Sequence, residues 1–138
     1  MLLLSFALVA AVLGSMLFFL AVVAPTVFRT LGEAEAGAFV RALFPVYYLA
    51  LGVGSAGAAG LALLAGRGME AALLAAVAGG FAVARQGLMP RINALRDRAK
   101  AGEAAAGAAF DRLHRASVSL NALQMLGLVG IAVLLARA

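Results

Sequence analysis

The sequence predicts an all-α protein, an integral membrane four-helix bundle formed as one domain over residues 1–138. Three observations predict it. The chain is 65% hydrophobic and 12% charged, with a mean hydropathy of +1.07. Soluble domains are roughly half apolar and about a quarter charged, so this chain cannot cover a surface in water with polar groups. Residues 1–28, 42–66 and 116–136 contain no Asp, Glu, Lys or Arg, and 71–84 is a shorter fourth run. Finally, the charges fall mostly between these runs. The basic balance (pI about 11.1) therefore describes membrane topology, with no nucleic-acid partner expected.

A spanning helix needs about 20 mostly apolar residues. Span 1 is expected over about 2–23. Ala21-Val-Val-Ala-Pro25 mimics a signal cleavage site, but no positive residue precedes the apolar core. The core is also longer than the ~7–15 residues of a signal sequence, so a retained span is expected. Pro25 lacks an amide donor and should end or bend the helix. Thr30 and Glu33 fit a capping box that would start the next helix.

Span 2 covers about 42–66, with Pro45 near one end beside Tyr47 and Tyr48, aromatics that suit the headgroup level. Gly52, Ala56 and Gly60 form a small-residue stripe for close helix contact. Gly52-Val-Gly-Ser-Ala-Gly57 also fits a dinucleotide fingerprint, but that motif needs a preceding strand. Here it lies inside an apolar helix, where helix contact explains it. Arg67-Gly68 makes a short turn into span 3, about 69–89, with Gly79-Gly80 at its middle. Pro90 follows, then a polar but helix-compatible stretch to Lys100, a turn at Gly102, and span 4 over about 110–136. Helix 4 is longer than a ~30 Å hydrocarbon core, so a hairpin between spans 3 and 4 should project on the cytoplasmic side. The three connections differ, and no internal repeat is read from them.

The 1–2 and 3–4 connections collect most of the arginines and Lys100, whereas Arg67 and Arg137 lie on the other side. The positive-inside rule puts the first set in the cytoplasm and both termini outside, in a cytoplasmic (inner) membrane. The basic side suits anionic lipid headgroups, at about 1 kcal/mol per basic residue near the surface.

On helix 4, His114, Ser117, Asn121 and Gln124 are spaced three, four and three apart and share one face. Lipid offers such a stripe no hydrogen bonds, so it must face protein or water. With Arg41, Tyr48, Arg85, Gln86 and Asn93 it outlines a polar cavity open to the cytoplasm, suited to an anionic ligand or lipid headgroup. The competing reading is interfacial arginines and interhelical hydrogen bonds. Arg85 lies about a turn inside span 3 and should have an inward partner.

No catalytic constellation emerges. There is no Cys, which excludes disulfides and thiolate metal sites from this chain. His114 is the sole histidine, so bis-histidine haem ligation within a monomer is excluded. The five methionines are scattered, and no metal or cofactor is expected. No acidic residue sits in a span core, which argues against a proton-coupled pump.

Three segments carry a resemblance. They are Val22 to Leu31 with Ala36 to Tyr48, Met89-Pro-Arg-Ile-Asn-Ala-Leu-Arg-Asp-Arg98, and Phe110-Asp-Arg-Leu-His-Arg-Ala-Ser-Val-Ser-Leu-Asn-Ala-Leu-Gln124. Together they resemble the bacterial branch of the transmembrane-protein-205-like family, a domain of unknown function. The resemblance implies a four-span membrane protein. Through the link of eukaryotic relatives to platinum-drug resistance it also implies transport or trafficking. Without Cys, thiol capture of a soft metal does not carry over.

The leading expectation is thus a non-enzymatic protein of small-molecule or ion transport or efflux, with a second copy of the chain as a candidate partner in a homo-oligomer. A structural or assembly subunit is the alternative, and a haem- or redox-linked protein using His114 a third.

Overall fold

The structure, a computed structural model, describes residues 1–137. Four helices account for nearly all of it: α1 (Leu2–Thr30), α2 (Glu33–Leu64), α3 (Gly68–Lys100) and α4 (Ala104–Ala136). Each is long and apolar enough to cross a membrane. Each packs on its chain neighbour and α4 returns against α1, which closes an up-and-down bundle. The α1–α2 and α3–α4 connections share one end, called the basic end below.

Two connections turn on glycine. Gly66 (φ +75°) and Gly102 (φ +94°) occupy the left-handed region that a Cβ disfavours. Beside Gly66, Arg67 Nε donates to the buried Glu70 carboxylate at 3.0 Å. Beside Gly102, Arg98 Nε donates to Glu103 Oε2 at 2.7 Å, and its Nη2 donates to the other oxygen.

The Arg98 hydrogen bond holds the Glu103 carboxyl below its ordinary value of 4.5. A depressed carboxyl stabilises the fold above its unfolded pKa and loses that contribution as pH falls through the folded value. Acidification should therefore lower amide protection at residues 101–103 before the rest of the bundle, and Glu103→Gln should remove this pH response. Equal pH responses in the two proteins would show that the pair contributes nothing.

The α1–α2 connection differs from the expected capping box. Thr30 remains inside α1, its hydroxyl bonded to the Thr26 carbonyl at 2.6 Å. Leu31 is extended and Gly32 is the N-cap of α2. The Thr30 hydroxyl is spent on its own helix, so the start of α2 shifts to Gly32. Glu33 and Glu35 then occupy the first turn, where carboxylates favour the helix dipole.

Neither Pro25 nor Pro90 ends its helix. A π turn opens six residues before each proline, at Phe19–Val23 in α1 and Ala84–Leu88 in α3. Ala24 N–H reaches back to the Phe19 carbonyl, and Met89 N–H to Ala84. Widening the ladder just upstream accommodates the amide a proline lacks. The two helices that run towards the basic end thus share one device, a likeness the connections did not reveal. Pro45 likewise lies within the continuous α2.

The apolar core fills the half of the bundle away from the basic end. It joins Val9, Val12 and Met16 of α1, Leu51 and Ala58 of α2, Leu74 and Phe81 of α3, and Leu128 and Ile131 of α4. Small residues let α1 and α2 approach: Ser5 Oγ donates to the Ala58 carbonyl at 2.9 Å, and a Cβ on Gly54 would stand 2.8 Å from Val12 Cγ2. The expected stripe is divided. Gly52 faces Phe81 of α3, whereas Ala56 and Gly60 are exposed, with nothing within 4 Å of a Cβ on Gly60. Towards the basic end the core stops, and Met89–Lys100 contributes no buried residue.

Candidate functional site

Where the core stops, the helices enclose a cavity of about 180 Å³. Tyr48 forms its floor. This ring is 4% exposed and sits 5.1 Å from Phe44 and 6.2 Å from Phe81. Tyr48 is therefore a core residue as well as a cavity residue. Phe19 lies beside Phe44 and Tyr47 at 5.3 and 5.2 Å and extends the aromatic cluster. Asn121 donates to the Tyr48 hydroxyl at 2.9 Å and to the Ser117 carbonyl at 3.1 Å.

The cavity's other walls are mixed. Asn93, Arg96, Ser117 and His114 line it with apolar Val40, Phe44, Ile92 and Phe110. His114 is exposed and stacks on Phe110, with ring centroids 5.6 Å apart and 7° between planes. Arg41 also lines the cavity, but its charge is matched. Its Nη2 donates to Asp97 Oδ1 at 2.7 Å and to the Asn93 carbonyl at 3.3 Å.

Arg96 is the residue that sequence reasoning missed. Its guanidinium lies over Gly37, where a Cβ would stand 2.7 Å from Nη2. It forms no ion pair among the described residues, and no carboxylate lines the cavity. A signal existed: Met89, Asn93 and Arg96 are spaced four and three apart, so they share a helical face.

Of the expected set, Arg41, Tyr48, Asn93, His114, Ser117 and Asn121 converge on this cavity. Three do not. Arg85 has the inward partner its depth required, the Pro45 carbonyl at 2.9 Å, and is held there. Gln86 is exposed. Gln124 lies deeper, its amide donating to the Val77 carbonyl at 3.0 Å across Gly80. It borders a separate outer groove between α3 and α4.

Gln124 Oε1 is buried without a partner. Gln124→Met keeps the volume and removes that orphan, so stability should change by less than about 1 kcal/mol, or rise. Unfolding of the detergent-solubilised protein by SDS measures it. A loss beyond ~2 kcal/mol would reveal a partner for the carbonyl, such as a bound water.

Among the described residues, no three His, Cys, Asp or Glu side chains gather as a metal site. The arrangement brings the Arg96 guanidinium and several neutral donors together in a largely apolar cleft, chemistry that can hold an anion.

The class is thus a four-helix protein with membrane-length helices and a cavity of mixed lining at one end. The chain belongs to the family described as "Domain of unknown function (DUF4149)", whose model matches residues 7–101. The matched stretch takes in almost all of α1 and the whole of α2 and α3, and stops before α4. No curated protein and no solved structure matches the chain.

Proposed function

We propose that this chain is an integral protein of the cytoplasmic membrane whose basic-end cavity binds an anionic ligand, as part of small-molecule or ion transport or efflux. The observation that carries this reading is Arg96, a cation without an ion pair among the described residues, set in a cavity that no carboxylate lines. The Lys and Arg bias supports a cytoplasmic position for this end, with both termini outside. The resemblance to the transmembrane-protein-205-like family supports a transport role only through the eukaryotic relatives of that family. Four helices enclose little volume, so a pathway would form between protomers of a homo-oligomer, with the exposed Ala56 and Gly60 as a contact.

Ligand binding to the native state raises the unfolding temperature by mass action, which supplies the test. The purified protein in maltoside detergent is heated with inorganic phosphate or dodecyl phosphate, beside the Arg96→Gln variant. At least one anion should stabilise the wild type, and the variant should respond far less. No stabilisation by either anion, or equal stabilisation of the variant, would overturn the reading.

The pairing of Asn121 with Tyr48 and of Gln124 with Val77 favours a second reading, a structural or assembly subunit whose polar stripe fixes helix contacts. That reading predicts no anion effect at all.

A further inference from the structure

We infer that the ligand of this cavity is a membrane-resident amphiphile with an anionic head, which reaches the site sideways between α1 and α4. This rests on the anion-binding reading above and names its ligand class. Two residues that line the cavity are also largely exposed on the outside of the bundle, Phe28 at 62% and Val118 at 54%. They mark an opening. Phe28 lies on α1 beyond the π turn, in the Ala24–Thr30 segment, which packs on α2. The contact of α1 with α4 is made by Leu2–Phe18, on the other side of that turn. The seam between α1 and α4 therefore loosens towards the basic end.

The depth of this opening identifies what it faces. Phe28 directly precedes Arg29, and Val118 follows Arg115 by about one turn. Each rim residue stands on the apolar side of the arginine that ends its charge-free run. In the proposed orientation this is the boundary between headgroups and acyl chains, so the opening meets lipid.

The lining is graded in the same sense. Arg96 and Arg41, with Gly37, stand towards the hairpins, whereas Tyr48 and Met89 stand towards the membrane centre. Charge outermost and apolar surface deeper is the order in which a lipid of that leaflet carries its head and chain. Size adds a constraint. The cavity, at about 180 Å³, is smaller than the ~300–1,000 Å³ of sites that enclose a drug-sized ligand. A head and the start of a chain fit inside, and the rest of the chain leaves between Phe28 and Val118. An inorganic anion would have no use for the wall of Val40, Phe44, Ile92 and Phe110.

The test uses the full chain in phosphatidylcholine nanodiscs. A phosphatidic acid with a photoreactive acyl chain is added, and crosslinked peptides are read by mass spectrometry. Labelling should concentrate around Phe28 and Val118, about tenfold above that of a phosphatidylcholine carrying the same chain, as expected for one charge-assisted contact. Dodecyl phosphate should suppress it, inorganic phosphate at equal concentration should not, and Arg96→Gln should lose it. Val118→Trp, which narrows the opening without touching Arg96, should also reduce it.

If inorganic phosphate competes as well as dodecyl phosphate, the site takes free anions from water. The anion reading then survives and this inference falls. If labelling matches that of phosphatidylcholine, or is unchanged in Arg96→Gln, the cleft holds ordinary boundary lipid and the inference is overturned. Thermal stabilisation by the two soluble anions judges the anion reading separately.

Discussion

Gly54→Leu should cost about 2–3 kcal/mol of stability, the upper range for overpacking a core. A Cβ at this position would already stand 2.8 Å from Val12 Cγ2. Val12 is 5% exposed and β-branched, so it cannot rotate aside cheaply. The remaining route is to separate α1 from α2, which also stretches the bond from Ser5 Oγ to the Ala58 carbonyl. In lipid that loss is not offset by a hydrophobic force between helices, because lipid tails are as apolar as the helix faces. Gly60→Leu is the control. Nothing lies within 4 Å of a Cβ there, so the protomer should keep its stability. If Ala56 and Gly60 form a contact between protomers, Gly60→Leu should shift the detergent-solubilised particle towards the monomer mass. Equal unfolding midpoints for Gly54→Leu and wild type in an SDS titration would show that the α1–α2 approach is looser than described.

Arg96→Gln should weaken binding of dodecyl phosphate by about 10- to 100-fold. A hydrogen bond to a charged group is worth about 1.5–3 kcal/mol, and 1.4 kcal/mol is tenfold. Glutamine keeps a polar stem and removes the charge, so the change reports on anion recognition. The variant breaks no ion pair among the described residues, because Arg96 makes none. Arg41→Gln is less clean, since it strands the Asp97 carboxylate now held at 2.7 Å. Calorimetric titration in maltoside detergent measures both. An Arg96→Gln affinity within twofold of wild type would remove Arg96 from the site.

Much of the fold was legible because hydrocarbon solvation is a coarse, additive property. Charge-free runs located all four helices and Gly102 one of the turns, whereas the turn expected at Arg67-Gly68 is made by Gly66, with Gly68 already in α3. The helix 4 stripe was legible for the same reason, since period alone sets His114, Ser117, Asn121 and Gln124 on one face. What that face meets depends on neighbouring helices, which periodicity does not encode. Gln124 was grouped with the cavity, yet it lies one turn too deep and bonds to Val77.

The π turns were not legible either. Proline signals a missing donor, and the chain can answer by ending the helix, bending it or widening the ladder upstream. Both prolines used the third answer. The glycine at which α1 and α2 meet was missed because four-residue spacing selected Gly52, Ala56 and Gly60, whereas Gly54 meets Val12. Thr30 was read as a cap because its hydroxyl suits one, but the Thr26 carbonyl competed for it successfully. Arg96 escaped notice among the arginines of a basic hairpin, where charge alone describes topology. Its position over a glycine on the opposing helix sets it apart, and that is a tertiary fact.

The most direct measurement is a structure of the protein in lipid nanodiscs, at a resolution that shows non-protein density, read at the basic end. The proposed function predicts density against the Arg96 guanidinium, bounded by Asn93 and His114 and running towards Phe28 and Val118. A cavity filled by its own side chains, with Arg96 turned out to water, would contradict it.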